Sequence, residues 1–506
     1  MNITSQRPWR SLATAGFIAV LLVACGQSDQ VGDDSSAVDQ AAAKVPITTT
    51  SDEARDFYMQ GRALLDDLHV VDANELFAQA VEADESFAMG YFMVATTSQT
   101  AALSSEFFDA IAMASERAGN VSEGEQLYIS ALVAASENDQ AAQLDALERL
   151  VAMFPEDERT YVELGNFFFG QQDFSGAVER YSEAIEINPE YAGAYNSLGY
   201  AHRSLDDLDS ALVAFEEYVA LIPDEANPYD SLAELQMEMG DYDESIKTYR
   251  KALEINPYFA ASYQGIAINH SLKGEPELAQ EAADQMLAAA RNFAERQGAM
   301  FRVVTSHLFA GNTEAAMEIS DVMMAEAGAE GNHAAMGGIA EYMGDIMMVA
   351  GDTIKAEEYF DAALDHRLQA DINEANKAQA ARVHLFKTSI SAMIGDDAEA
   401  AASRAAEYSA AAEAHGTAFE KRRANELSAY LAMFSEENEA AAAHFDDASQ
   451  LDPIVLYWSA VVNKDLGNMD KARELATRAA NRNTLNANLP FFRADAMKLL
   501  EELSAE

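Results

Sequence analysis

Apolar and small side chains recur along part of this chain at a fixed interval of 34 residues. The interval is clearest in four tyrosines and three prolines, which are Tyr161, Tyr195, Tyr229, Tyr263, Pro189, Pro223 and Pro257. No alternating pattern typical of a strand stands out in the sequence. Residues 158–293 therefore form a tandem repeat, and the period predicts two helices joined by a turn in each unit.

The unit from Glu158 to Tyr191 shows the pattern most completely. Its signature residues are Tyr161, Leu164, Gly165, Phe168, Ala177, Tyr181, Ala184 and Pro189. Small residues at Gly165 and Ala177 let two helices approach closely, and aromatic side chains fill the space beside that contact. This pattern resembles the tetratricopeptide-repeat family. The resemblance implies an all-α fold, an α-solenoid wound as a right-handed superhelix.

Looser versions of the pattern extend the array in both directions from the regular repeats of residues 158–293. Residues 51–157 are predicted to be degenerate N-terminal repeats, and residues 294–486 degenerate C-terminal repeats. Turns inside the latter are expected at Gly311-Asn312, Gly351-Asp352, Gly395-Asp396 and Gly467-Asn468. About 12 helix pairs result, each packed mainly on its neighbours, and residues 487–506 are expected to form a capping helix.

The N-terminus has the features of an export signal. Arg7 and Arg10 precede an apolar run of only about 13 residues, which is too short to span a bilayer. Residues 1–24 are therefore predicted to be a signal peptide. The sequence Leu22-Val23-Ala24-Cys25-Gly26 resembles the lipobox of bacterial lipoproteins, which implies that Cys25 is lipidated and becomes the first mature residue. An ordinary signal peptide with a cysteine nearby by chance is the alternative.

Lipidation at Cys25 implies attachment to a membrane without a spanning helix. In lipoprotein sorting an Asp after the cysteine favours inner-membrane retention, and here the residue is Gly26. The periplasmic side of the outer membrane is therefore the expected location, with the inner membrane or the cell surface left open. Residues 25–50 are rich in Gln, Ser, Asp, Ala and Thr and are predicted to be the lipidated cysteine and a flexible linker.

Charge and composition exclude several classes of function. The formal net charge is −52, so phosphate backbones would be repelled and no nucleic-acid partner is expected. Such acidity fits either a salty habitat or basic partners. Because Cys25 is the only cysteine, disulfides and thiolate metal sites are excluded. The common catalytic motifs for phosphate, ester or zinc-peptidase chemistry do not occur, so the protein is expected to be no enzyme and to use no metal or cofactor.

Two local patterns have both a packing and a functional interpretation. His202 and His270 occupy the same position in two repeats, but packing or surface exposure is favoured over a metal or acid–base pair. Met336, Met343 and Met347 share one helical face, and ordinary core packing is again favoured over an adaptable binding strip.

The concave groove is the remaining candidate for binding. In tetratricopeptide proteins the first helix of each pair lines it, and the matching positions here are Arg159, Asn166, Phe169, Asn196, Tyr200, Arg203, Asp230, Glu234, Met237, Gln264 and Ile268. The lysines that grip a C-terminal carboxylate in some members are absent, so that activity is not inferred. Tyr200 and Arg203 are the favoured contacts, or else simply solvated residues. Their joint change to Ala is expected to weaken partner capture without altering the melting temperature.

These observations favour a non-enzymatic, lipid-anchored scaffold that binds proteins or peptides in the periplasm. The resemblance points to lipoproteins that assist pilus, secretion or outer-membrane protein assembly. The alternative is a receptor that binds a small molecule or peptide inside a closed superhelix. A receptor would have an enclosed pocket with converging polar groups, whereas a scaffold would have an open groove.

Overall fold

The computed structural model describes residues 44–66, 70–97, 105–137, 139–483, 485 and 488–505. The predicted signal peptide, the lipobox and Cys25 lie outside these residues. The chain divides into two compact units, the N-terminal unit up to Leu235 and the C-terminal unit from Gln236 onward.

The N-terminal unit consists of short helices that follow one another in pairs. They are α1 (Asp52–Asp66), α2 (Val70–Ala83), α3 (Ala88–Thr97), α4 (Ser105–Arg117), α5 (Glu123–Ser136), α6 (Gln140–Met153), α7 (Glu158–Gly170), α8 (Phe174–Ile187), α9 (Ala192–Ser204) and α10 (Leu208–Leu221). Helix α11 (Ala226–Glu238) contains the boundary between the units.

The C-terminal unit continues the same alternation. Its helices are α12 (Tyr242–Ile255), α13 (Ala260–Leu272), α14 (Pro276–Ala289), α15 (Phe293–Phe309), α16 (Thr313–Ala329), α17 (His333–Ala350), α18 (Thr353–Gln369), α19 (Glu374–Ile394), α20 (Ala398–His415), α21 (Ala418–Phe434), α22 (Asn438–Asp446), α23 (Pro453–Asp465), α24 (Met469–Asn481) and α25 (Leu489–Ala505). None of the helices in the described parts of the chain is both long enough and apolar enough to cross a membrane.

Helices α1 to α24 are twelve successive helix–turn–helix pairs, and the predicted all-α solenoid of helical repeats is confirmed. The pairs differ in length, however. Helices α7 to α14 have 13 or 14 residues each, whereas α15 to α21 have 17 to 21. About one extra turn per helix lengthens the repeat, which is why the 34-residue spacing fades after residue 293.

One recurrent packing contact explains the repeat signature. A glycine in the first helix of a pair faces an aromatic ring in the second, at Gly165 with Tyr181, Gly199 with Phe215 and Gly344 with Phe360. A Cβ added at Gly165 would lie 2.5 Å from Cε1 of Tyr181. The two helices therefore meet at a distance that only glycine permits.

Other predictions about the helix pairs also agree with the structure. The pairs α15/α16, α17/α18, α19/α20 and α23/α24 turn at the expected Gly-Asn or Gly-Asp positions. Gly351 has φ 84° there, a conformation that favours glycine. Met343 is buried in the core of the C-terminal unit, and Met336 and Met347 pack against that core. The methionines are thus packing residues, as the plainer interpretation held.

Residues 44–50 differ from the predicted flexible linker. This stretch, called the 44–50 segment below, is non-helical and is bound to the helices of the N-terminal unit. Val45 donates its backbone N–H to Asp157 at 2.9 Å, and Lys44 lies 3.0 Å from Glu158. The composition of this stretch suggested a flexible tether. It could not indicate these contacts, because they join residues more than 100 positions apart in sequence.

Helix α25 follows the last pair, where a capping helix was predicted. Leu489, Phe492 and Leu503 are buried against the array. The helix packs on α23 and α24 and also on α15, and Arg493 donates to the hydroxyl of Tyr242 at 3.4 Å. Within the C-terminal unit, the end of the chain therefore returns to the unit's first helices instead of covering the last pair alone.

Candidate functional site

The predicted groove residues of the N-terminal unit lie on the first helices of three successive pairs. Arg159, Asn166 and Phe169 are on α7, Asn196, Tyr200 and Arg203 are on α9, and Asp230 and Glu234 are on α11. Side-chain caps mark where α7 and α10 begin. Asp157 accepts the backbone N–H of Arg159 at the start of α7, and Asp207 caps α10 in the same way.

A polar network joins α9 to α11 at the centre of this surface. Arg203 Nη1 lies 2.8 Å from Glu234 Oε1, and the Tyr200 hydroxyl donates to Glu234 Oε2 at 3.1 Å. Beside them, Ser231 donates to Asn196 Oδ1 at 3.0 Å. Burial, and then the negative charge of Glu234, raise the pKa of Tyr200 well above its ordinary value. The phenol therefore stays a hydrogen-bond donor at physiological pH.

Tyr200 and Arg203 are consequently bound within the protein. Arg203 is largely buried, and its charge is neutralised by Glu234 of the next pair. The expectation that both can be changed to Ala without altering the melting temperature does not agree with this arrangement. Repeat position correctly placed the two residues on a first helix, but it does not indicate which partner lies within reach on the next one.

The groove residues of α7 differ in the contacts that their side chains already make within the protein. Asn166 accepts a hydrogen bond from the Tyr181 hydroxyl at 2.8 Å. Phe169 packs edge-on against Phe174, with the two ring centres 5.1 Å apart. Arg159 is half-buried, and among the described residues its Nε has no hydrogen-bond partner. A buried donor without a partner is costly. Because Nε itself is buried, a ligand can reach Arg159 only through other atoms of this half-buried side chain.

The remaining predicted groove residues belong to the C-terminal unit. Gln264 is half-buried on α13. Met237 and Ile268 are buried hydrophobic residues, so they are packing residues rather than accessible contacts. Their repeat positions were matched correctly, but neighbouring helices cover their side chains.

A buried ionic cluster in the C-terminal unit was missed by the sequence analysis. Lys387 on α19 donates to both oxygens of Asp345 on α17, at 2.7 and 2.8 Å. On α21, Arg423 lies 3.5 Å from Glu426, which also accepts from the Tyr430 hydroxyl at 3.1 Å. These charges are removed from water and sit on the first helices of three successive pairs.

A second row of contacts runs beside the first. Arg382 on α19 donates to Glu420 on α21 at 2.8 Å, and the Tyr408 hydroxyl donates to the other carboxylate oxygen of Glu420 at 2.7 Å. The guanidinium of Arg423 lies 3.8 Å from the ring centre of Phe386, where a cation–π attraction operates. The hint in the sequence was charge within apolar runs, as in Phe386-Lys387 and Gly344-Asp345-Ile346.

Burial determines the electrostatics of this cluster. It raises the pKa of Asp345 to about 6, although the charge of Lys387 acts in the opposite direction. It likewise raises the pKa of Glu426 to about 7, against the opposing charge of Arg423. Buried charges are tolerated only when they are paired in this way. The cluster can therefore fix the register of α17, α19 and α21 against one another.

The histidines and the cavity beside Tyr258 show no features of a metal site or a ligand pocket among the described residues. In the described part of the chain, no group of three or more His, Cys, Asp or Glu side chains could hold a metal ion. His202 and His270 each lie beside a carboxylate five residues further on, Asp207 at 3.3 Å and Glu275 at 2.7 Å. A cavity lined by Tyr258 and Met286 has a volume of about 10 Å³, which is room for one water molecule at most.

Comparison with known proteins agrees with this geometry. Family models described as tetratricopeptide repeat match residues 192–225 and 231–259, and one described as TPR repeat matches residues 165–206. No match was found among curated proteins.

Similar solved structures include a tetratricopeptide repeat protein from Parabacteroides merdae ATCC 43184, with 13% identity and a TM-score of 0.38 over 53% of this chain and 98% of that one. MamA has 23% identity and a TM-score of 0.30 over 33% of this chain and 91% of its own. YrrB, described as a TPR protein with an unusual peptide-binding site, has 16% identity and a TM-score of 0.27 over 44% of this chain and 96% of its own. The family-model matches show that tetratricopeptide repeats are present within residues 165–259 of this chain.

Proposed function

We propose that this protein is a non-enzymatic scaffold that binds other proteins or peptides through the first helices of its repeats. The observation that carries the proposal is the set of tetratricopeptide repeats within residues 165–259, since repeats of this kind serve protein recognition. Their first helices carry aromatic, amide and charged groups, and Arg159 on α7 is a half-buried cation. An acidic side chain or a backbone carbonyl of a partner would bind this cation.

The proposal includes a location. The Leu22-Val23-Ala24-Cys25 sequence supports lipid anchoring, and Gly26 after it supports the periplasmic face of the outer membrane. A scaffold held there would serve the assembly of envelope, pilus or secretion components. The strongly acidic composition favours partners with basic surfaces at the exposed faces.

The receptor alternative needs a chamber that encloses a ligand. Ligand pockets have volumes of roughly 300 Å³ or more, whereas the cavity beside Tyr258 has about 10 Å³. This cavity is too small to enclose such a ligand.

Crosslinking in intact membranes, followed by mass spectrometry of the captured proteins, tests the proposal. Arg159→Ala should reduce the recovery of the specific partner. Arg180→Ala is the matched control, because Arg180 has the same charge but lies on the second helix α8, where it pairs with Glu179 and Glu183. Equal recovery from both variants and the unmodified protein would show that the partner binds elsewhere.

A further inference from the structure

The 44–50 segment lies across the N-terminal ends of α5 and α7. Val45 N donates to Asp157 Oδ2 at 2.9 Å, and Thr48 N donates to Glu125 Oε1 at 2.7 Å. Three residues of extended chain span about 10 Å, which is close to the distance between packed helix axes. The three-residue step from Val45 to Thr48 therefore matches the step between Asp157, which caps α7, and Glu125 on α5.

Two carbonyl groups of the segment, those of Ile47 and Thr49, are bound as well. Arg55 on α1 donates from Nη1 to the carbonyl oxygen of Ile47 and from Nη2 to that of Thr49, each at 3.1 Å. Together with the bonds to Asp157 and Glu125, the protein makes four hydrogen bonds to the segment's backbone. Contacts of this kind do not depend on side-chain identity and are how proteins hold extended peptides.

Side-chain contacts at one end of the segment select a positive charge followed by an apolar residue. Lys44 Nζ lies 3.0 Å from Glu158 Oε1, and Val45 packs in the cluster that contains Phe154. A Cβ added at Gly124 would lie 2.5 Å from Phe154 Cε2 and 2.9 Å from Val45 Cγ1, so both side chains pack directly on this glycine.

Hydroxyl groups are recognised at the other end. Thr48 donates its hydroxyl to Glu125, and Thr49 donates its own to Asp84, beside the turn that leads into α3. Read along the segment, the bound pattern is a lysine, an apolar residue, two intervening positions and two hydroxyl residues. Lys44, Thr48 and Thr49 each bind a carboxylate, and Val45 packs among apolar side chains.

Glu158 favours a cation at this end of the surface. Its side chain is 1% exposed, and Oε2 has no hydrogen-bond partner among the described residues. Burial is the largest influence and raises the pKa of Glu158, but the hydrogen bond and charge of Lys44, a backbone hydrogen bond and the charge of Arg159 together lower it below the usual value. Without an ammonium group at this position, the buried carboxylate would keep Arg159 and Asn188 nearby but lose its ion pair.

We propose that this surface, formed by Asp84, Glu125, Asp157 and Glu158 with Gly124 and Phe154, is a recognition site for extended peptides of partner proteins that carry a lysine, an apolar residue and hydroxyl residues at these spacings. The 44–50 segment is its resident occupant, which such a peptide displaces. The inference rests on the protein-binding function proposed above but concerns a different surface from the groove that contains Arg159.

Direct peptide binding to the purified full chain tests this site. The probe is a fluorescein-labelled peptide with the sequence of residues 44–51, measured by fluorescence polarisation. A variant carrying Lys44→Glu and Val45→Asp weakens the resident segment and leaves the surface intact. Because a tethered segment competes at an effective concentration in the millimolar range, this variant should bind the probe about tenfold more tightly than the unmodified chain.

Two controls distinguish specific binding from adhesion. A peptide with the same two changes should not bind, and Glu158→Gln introduced into the weakened variant should lower the affinity for the original peptide. The proposal is overturned if the weakened variant binds neither peptide at millimolar concentration, or binds both equally. These readouts use purified components, so they succeed or fail independently of partner capture through Arg159.

Hydrogen exchange in the unmodified chain provides a second measurement if the weakened variant does not fold. Excess peptide should displace the resident segment and accelerate exchange of the Val45 and Thr48 amides, which are otherwise protected by Asp157 and Glu125. Unchanged exchange at saturating peptide would contradict displacement.

Discussion

Lys387 and Asp345 form an ion pair in the interior of the C-terminal unit, with the ammonium 2.7 Å from one carboxylate oxygen and both side chains 1% exposed. The pair connects α19 to α17 across two successive helix pairs. Removing a charge from water is costly, and the mutual attraction offsets that cost only while both partners are present. The pair therefore makes the packing of these helices depend on both residues at once.

Lys387→Met is expected to lower the free energy of unfolding by about 3 to 5 kcal/mol, because it leaves Asp345 buried without its cation. Adding Asp345→Leu should restore much of that loss. Lys471→Met is the control, since Lys471 forms a surface pair with Asp446 and each side chain is about half exposed; it should cost less than about 1 kcal/mol. Denaturant titration measures all three, and equal effects of Lys387→Met and Lys471→Met would contradict the buried pairing.

The pH dependence of stability should reveal Glu426. Burial raises its pKa to about 7 in the folded protein, whereas the unfolded value is near 4.3. Between these values the folded state binds the proton more tightly, so this group's contribution to the free energy of unfolding falls as pH rises from about 4 to about 7. Relative to Glu426→Gln, the unmodified protein should lose stability across that window. A constant difference between the two from pH 4 to pH 7 would rule this out.

Ala211 on α10 is fully buried and packs beside Phe215 and Leu235, as expected for a residue at a helix contact. Ala211→Leu should therefore overpack the contact and destabilise the protein by about 1 to 3 kcal/mol. Val213 on the same helix is 61% exposed, so Val213→Leu adds apolar bulk to α10 without that penalty. Thermal unfolding compares the two variants. A similar melting temperature for both would mean that the helix contact at Ala211 can accommodate a larger side chain.

Because Arg203 is paired with Glu234, substitution of Arg203 should lower the stability of the protein. Arg203→Met is expected to cost about 1 to 3 kcal/mol, because Glu234 loses its charged partner in a mostly buried site. Arg149→Met, at a half-exposed position on α6, should change stability by less than about 0.5 kcal/mol. A double-mutant cycle with Glu234→Gln would show no coupling if the contact contributed nothing.

How far the sequence predicts this structure depends on the range of the interactions. The spacing from Gly165 to Tyr181 is local to one helix pair, and the same glycine–aromatic contact recurs at Gly344 and Phe360. Such contacts made the helix pairs and their turns predictable. By contrast, Val45 meets Asp157 across 112 positions, and Lys387 meets Asp345 across 42. No period in the sequence connects those partners, so the bound segment and the buried ionic cluster emerge only from the structure.

The groove illustrates the same limit at the level of a site. Repeat position placed Tyr200 and Arg203 on α9, but their engagement depends on Glu234, which lies one repeat further along. Met237 was likewise assigned to the groove by position, although its side chain is buried. Position within a repeat identifies the helix that a residue occupies. Whether the side chain is free to bind depends on the neighbouring repeat.

Anchoring depends on Cys25, which lies outside the described residues and is the only cysteine in the chain. If its thiol carries the lipid, Cys25→Ser should abolish labelling by a fatty-acid analogue in growing cells and block correct cleavage of residues 1–24. Ser28→Ala alters a nearby polar residue without removing the thiol, so its labelling should match that of the unmodified protein. Two or more acyl chains hold a protein at a bilayer far more firmly than one, and Cys25→Ser should therefore leave it either released or retained only by its uncut signal. Labelling of Cys25→Ser at the unmodified level would exclude lipidation at this residue, and the ordinary signal peptide would then be the better interpretation of residues 1–24.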